Sequence, residues 1–192
     1  MYNVITAIVR FLMFFVFRVK TEGKDNVPSE GGVIFAVNHR SNFDPVIAAM
    51  TCPRRLTFMA KAELFKNPVF GWFLKTVGAF PIHRGKGDIS AIKCAFSILK
   101  DGKAMLIFPE GTRVRKGKTS KAQPGVAMIA HRTAAPVVPV CISGDYKWLH
   151  KITVSYGKPI TLEEYAGQKL TGEETQQIAD NILSEIKKLA AE

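Results

Sequence analysis

The stretch Gly31-Gly32-Val33-Ile34-Phe35-Ala36-Val37-Asn38-His39-Arg40-Ser41-Asn42-Phe43-Asp44-Pro45 decides how this chain is read. Two glycines punctuate the backbone, five apolar residues follow without interruption, and a polar loop comes next. An unbroken apolar run of this length suits a strand buried on both faces, as in a parallel sheet covered by helices. Asp44-Pro45 then opens a helix, because Asp is a favoured N-cap and Pro a favoured first helical residue. A strand, a polar loop and a helix start, in that order, mark the place where open α/β folds put their sites.

The same alternation continues outward from this stretch. Apolar spacing predicts helices over 67–77, 89–100, 123–132 and 173–191, and strands over 104–108, 137–142 and 152–156. The last helix begins with the capping box Thr171-x-x-Glu174 and places Ile178, Ile182, Ile186 and Leu189 on one face. Strands alternating with helices argue for an α/β fold, a mostly parallel sheet flanked by helices. Internal repeats, low-complexity tracts and Gly/Ser linkers are absent from the sequence, so residues 23–192 read as one domain behind an N-terminal apolar segment, 1–22.

Composition narrows the class. At 192 residues, 47% hydrophobic and 22% charged, the chain has globular usage and is neither disordered nor collagen-like. A chain of this length buries about 70% of its unfolded surface and needs no staple. Lys and Arg number 27 against 16 Asp and Glu, a formal +11. Residues 1–150 hold 22 of the basic and 9 of the acidic groups, so the excess sits in the body of the chain. Such a body prefers anionic partners: nucleic acid, an anionic membrane surface, or phosphorylated ligands. Cys52, Cys94 and Cys141 fit neither a zinc site nor a disulfide framework, which suits a reducing compartment.

The N-terminus reads MYNVITAIVRFLMFFVFRVK. Arg10 interrupts it, and Phe11 to Phe17 is too short to cross about 30 Å of hydrocarbon. No charged region precedes the apolar run and no small-residue cleavage site follows it, so a signal peptide fits poorly. The expectation is a helix over 1–22 lying in the membrane interface, with a helix packed on the protein's own core as the open alternative. Phe11, Leu12, Phe14, Phe15 and Phe17 would dip into acyl chains, with Arg10, Arg18 and Lys20 among headgroups.

His39 and Asp44 carry the chemistry. Five positions along a straight helix turn through about 500°, which would separate them. A loop that turns before the helix brings the carboxylate back to the imidazole. There it holds one ring nitrogen protonated and leaves the other free to accept a proton. Ser41 lies close in sequence but lacks a Gly-x-Ser-x-Gly elbow, so it reads as a loop residue.

Three further blocks share the order of a known family. Asn38, His39 and Asp44 match Asn-His-x-x-x-x-Asp, and Gly78-Ala79-Phe80-Pro81-Ile82-His83-Arg84 resembles a second block. Phe108-Pro109-Glu110-Gly111-Thr112-Arg113 is intact as a third, and Val138-Pro139-Val140 resembles a fourth. Over residues 38–140 the chain resembles the glycerolipid acyltransferase family. That resemblance implies transfer of a fatty acyl group from a thioester, on acyl carrier protein or coenzyme A, to the free 2-hydroxyl of 1-acylglycerol 3-phosphate. The product would be phosphatidic acid, in phospholipid biosynthesis.

The resemblance also implies roles. His39 is the general base and Asp44 orients it. Arg84, Arg113 and Lys61 are candidates for the acceptor phosphate, which guanidinium forks bind bidentately. Asn38, Glu110 and Gly111 would position substrate, with Glu110 accepting from a substrate hydroxyl or holding Arg113. A thiol is a good leaving group, so neither metal nor cofactor is expected. Expected partners are lysophosphatidic acid, the thioester donor and an anionic membrane surface, and not nucleic acid. The expected location is the cytoplasmic face of the cell membrane, peripheral or monotopic. Two alternatives stay open: a related acyltransferase acting on glycerol 3-phosphate or another lysophospholipid, and a non-catalytic basic lipid-binding protein.

Overall fold

The computed structural model describes residues 16–82, 89–114 and 120–190. Seven strands form one sheet: β1 (Arg18–Glu22), β2 (Val33–Val37), β3 (Leu56–Lys61), β4 (Ala79–Ile82), β5 (Ala104–Ile107), β6 (Val137–Gly144) and β7 (Lys151–Tyr156). Five α-helices are described: α1 (Asp44–Thr51), α2 (Pro68–Thr76), α3 (Ile89–Lys100), α4 (Gly125–Thr133) and α5 (Gly172–Lys188). The order across the sheet is β1-β7-β6-β2-β5-β3-β4. Every neighbouring pair is parallel except β6 and β7, which run antiparallel. The expected mostly parallel α/β sandwich is the fold found.

Its centre is β2, between β5 and β6 and buried at every residue. Alternation sends Val33, Phe35 and Val37 to one face, where they pack with Ile47 and Ala48 of α1 and Leu74 of α2. Ile34 and Ala36 face the other layer, with Ala95 and Ile98 of α3, Val126 and Ala127 of α4, and Ile178 and Ile182 of α5. Both faces of β2 are covered, and this is why its sequence is apolar without alternation. The capping box at α5 is present on both sides, from Thr171 and from Glu174.

Two expectations are corrected here. Arg18–Glu22 is strand, paired in parallel with β7, where helix was expected to continue to residue 22. β-branched Val19 and Thr21 alternate with polar residues there, a period-two pattern that suits a half-covered edge strand. Phe17, expected in lipid, is buried in the core beside Phe43 and Tyr146. The rest of the expected membrane helix, residues 1–15, lies outside the described residues. Among the described residues, no helix is long and apolar enough to cross a membrane. The second correction concerns Asp44, which is the first residue of α1 and not its cap.

A close approach fixes how α3 meets the sheet. A Cβ on Gly32 would lie 2.2 Å from the Leu99 carbonyl oxygen, whereas one on Gly172 would meet nothing within 4 Å. Gly32→Ala should therefore lower the free energy of unfolding by about 1–3 kcal/mol. Gly172→Ala should leave it unchanged or raise it by up to about 1 kcal/mol. Urea unfolding of both variants checks the contrast.

Candidate active site

In a parallel sheet the strands all end at one edge, and the loops leaving that edge meet. β2 and β5 are neighbours, so the loop after Val37 and the loop after Ile107 lie side by side. The first carries Asn38, His39 and Asp44, and the second carries Phe108 to Arg113. β3 ends at Lys61 and β4 at Ile82 along the same edge. Arg84 follows two residues after β4 and lies outside the described residues, as does His83.

The loop turns as the spacing required. His39 Nδ1 lies 2.9 Å from Asp44 Oδ2. The same carboxylate oxygen accepts the backbone N–H of Arg40 and of Ser41, both at 2.6 Å. The other oxygen, Oδ1, accepts the hydroxyl of Tyr146. Asp44 is fully buried, and four donors take the place of water around it. This inward turn explains why Asp44 does not cap α1. Burial, then the adjacent carboxylate, hold the Tyr146 phenol far above its ordinary range, so it stays a donor.

The imidazole is fixed from other sides too. The His39 ring stacks on Phe108, with centroids 3.9 Å apart and planes 16° from parallel. The His39 backbone N–H donates to Glu110 Oε2 at 2.6 Å, and its carbonyl accepts from Val114 N at 2.8 Å. With Nδ1 donating to Asp44, Nε2 is the nitrogen that carries the lone pair. The His39 side chain is 12% exposed, enough for one reactant to reach it.

The remaining expected residues fall as follows. Asn38 extends the sheet by one rung: its Nδ2 donates to the Ile142 carbonyl at 3.0 Å, and its Oδ1 accepts from Ile142 N at 2.7 Å. Glu110, expected to meet substrate or Arg113, accepts from the His39 backbone and from Ser120 Oγ at 3.2 Å. Gly111 has φ +68°, and a Cβ there would lie 3.0 Å from the Gln123 side chain, so the turn after Pro109 needs glycine. Arg113 and Lys61 are exposed at the open edge. Neither Tyr146 nor the stacking role of Phe108 has a signal in the sequence. Tyr146 is 102 residues from Asp44, and no local spacing connects them.

Other chemistries find little here. Burial raises the Cys52 and Cys141 thiols to about 11, so neither supplies a thiolate nucleophile at neutral pH. Among the described residues, no three His, Cys, Asp or Glu side chains converge as metal ligands do.

Comparison with known proteins places the chain in a family. The family model described as Acyltransferase matches residues 18–143. The chain is 32% identical over 176 residues to the 1-acyl-sn-glycerol-3-phosphate acyltransferase of Streptococcus pneumoniae, covering 88% of this chain and 64% of that protein. It is 33% identical over 154 residues to the protein of the same description in Bacillus subtilis, covering 77% and 76%. The crystal structure of the 1-acyl-sn-glycerophosphate (LPA) acyltransferase of Thermotoga maritima superposes with a TM-score of 0.75. That match covers 98% of this chain and 79% of the other at 23% identity, and it shows a shared fold.

The carboxylate geometry makes a prediction about tautomers. In Asp44→Asn, the amide oxygen should occupy the Oδ2 position, because three N–H donors point there. The Tyr146 hydroxyl should then turn to accept from the amide. Neutral His39 should therefore remain the Nδ1–H tautomer, and the variant removes charge while keeping orientation. Nitrogen-15 NMR of labelled histidine reads this directly, and a switch to Nε2–H would contradict the arrangement.

Proposed function

The chain belongs to the acyltransferase family, and on that footing we propose that it acylates the free 2-hydroxyl of 1-acylglycerol 3-phosphate to give phosphatidic acid. The observation that carries the reading is the buried Asp44 holding Nδ1 of His39, whose side chain keeps some exposure on the loop that leaves the end of β2. The names of the Streptococcus and Bacillus relatives support the acceptor. The donor is an acyl thioester on acyl carrier protein or coenzyme A.

An alkyl hydroxyl is far too weak an acid to ionise at neutral pH, so a base must take its proton as it attacks. His39 Nε2 takes that proton while the hydroxyl oxygen bonds to the thioester carbonyl carbon. Asp44 stabilises the imidazolium that forms. The carbonyl then re-forms, the C–S bond breaks, and the departing thiolate recovers the proton. General base catalysis of this kind supplies about 10²–10⁴-fold. Stacking on Phe108 and the Glu110 bond to the His39 backbone keep the ring in place, so little orientation is lost before attack.

Arg113, Arg84 and Lys61 bind the acceptor phosphate in this reading. Arg113 sits next to Val114, whose N–H bonds the His39 carbonyl, so a phosphate held there lies close to the base. Asn38 and Gly111 position substrate indirectly, by shaping the loops. Residues 1–15 lie in the interface of the cytoplasmic leaflet, and the protein is peripheral or monotopic on an anionic membrane.

Two results test the proposal. Labelled lysophosphatidate with each thioester should give phosphatidic acid, and His39→Ala should lower kcat by about 10²–10⁴-fold in folded protein. A variant keeping more than about a tenth of the activity would exclude His39 as base. Arg113→Ala and Arg84→Ala should each raise KM for lysophosphatidate by roughly 10–150-fold, the equivalent of about 1.5–3 kcal/mol per charged hydrogen bond. Neither should change KM for an acceptor without phosphate, and unchanged discrimination would place the phosphate elsewhere.

A further inference from the structure

The two ends of the sheet differ in what they expose. The end that carries His39 receives the β2–α1 and β3–α2 connections, the start of α3 and the β6–β7 turn. It also receives the start of β1, because Arg18 lies beside Lys151 at the start of β7. Among the described residues, all nine exposed large apolar side chains fall in these segments or on the first turns of α2. Phe43 fills the β2–α1 turn, Leu64 follows β3, and Val69, Phe70 and Trp72 lie on the first turns of α2. Ile89 opens α3, Val16 precedes β1, and Trp148 and Leu149 belong to the β6–β7 turn. At the opposite end, the described connections at 52–55, 77–78, 101–103 and 134–136 expose none.

Apolar side chains scattered singly over a surface need no explanation, but their confinement to one end does. Helix α2 shows the point most clearly. It buries Gly71 and Leu74 against the protein, yet leaves Val69 75% and Trp72 56% exposed on its other side. Such a helix is apolar towards both the core and the outside. Cations stand among these side chains: among the described residues, Lys61, Lys66, Arg113, Lys147 and Lys151 are exposed at this end, against one exposed carboxylate, Glu63. Tryptophan and other large apolar side chains edged by lysine match the headgroup region of an anionic bilayer in both polarity and charge.

The geometry points to a membrane-docking footprint built into the catalytic domain itself, in which Phe43, Leu64, Val69, Phe70 and Trp72 enter the headgroup layer and Lys66 meets lipid phosphates. The footprint surrounds the loop that holds His39, so the base opens onto the leaflet and acceptor lipid reaches it sideways. It rests on the lysophospholipid reading above for its purpose. It adds a contact surface within the described residues, one that sets the depth and tilt of the catalytic domain.

The chain has two tryptophans, so Trp148→Phe leaves Trp72 as the sole reporter in the full-length protein. With vesicles of phosphatidylcholine and phosphatidylglycerol at 3:1, Trp72 emission should shift to the blue, and brominated acyl chains should quench it. A protein that sediments with the vesicles while Trp72 is neither shifted nor quenched would overturn the footprint, as would a failure to sediment. Combining Leu64→Asp with Val69→Asp should slow acylation of vesicle-embedded lysophosphatidate about tenfold, since each carboxylate meets anionic headgroups. Its rate on a short-chain, water-soluble lysophosphatidate should match wild type, and an equal loss on both acceptors would overturn the proposal. Wild-type protein that acylates neither acceptor would refute the acyl-transfer reading, while Trp72 quenching would still decide the docking surface.

Discussion

Everything at the active edge hangs on one buried carboxylate. Asp44 is removed from water entirely, and a carboxylate so placed is tolerable only if donors replace its hydration. Those donors come from three parts of the chain: the Arg40 and Ser41 backbone, the His39 ring, and Tyr146 from the β6–β7 turn. Satisfying Asp44 therefore closes the loop after β2, sets the histidine tautomer and ties the far side of the sheet to the site. Losing any one donor leaves the carboxylate short of a partner in a place water does not reach, so the four act as a unit.

The loop after β5 supports this arrangement from the opposite side. Phe108 covers one face of the imidazole, and Glu110 holds the backbone of the same residue. The Phe-Pro-Glu-Gly-Thr-Arg block thus has a structural reading for its first four residues and leaves Arg113 exposed at the open edge. Glu110 holds His39 through its backbone N–H, a contact that steadies the loop carrying the imidazole. Loop residues that hold one another are how a fold keeps a base within a fraction of an ångström of its working position.

How much of this was legible depends on how local the signal is. β2, α3, α5 and its capping box were readable because their apolar spacing and cap residues sit within a few positions of one another. The His39–Asp44 contact was readable because a five-residue loop leaves few ways to turn. β1 was hidden under the Phe-rich stretch before it, whose apolarity outweighed the alternation of Val19 and Thr21. β3 and β4 are short strands next to helices, and their patterns merge with those neighbours. Tyr146 and Asn38 act through partners more than a hundred residues away, and only the sheet brings those partners close. The confinement of exposed apolar side chains to one edge is likewise a property of topology, invisible until the strand directions are known.

The central claim is that Asp44 acts on the chemistry through His39 and through nothing else. A double-mutant cycle on kcat, using wild type, Asp44→Asn, His39→Ala and the combined variant, measures this directly. Asp44→Asn should lower kcat strongly when His39 is present, and by no more than about twofold when His39 is already alanine. Loss of the same factor in both backgrounds would contradict the account, because Asp44 would then serve catalysis independently of the imidazole it holds.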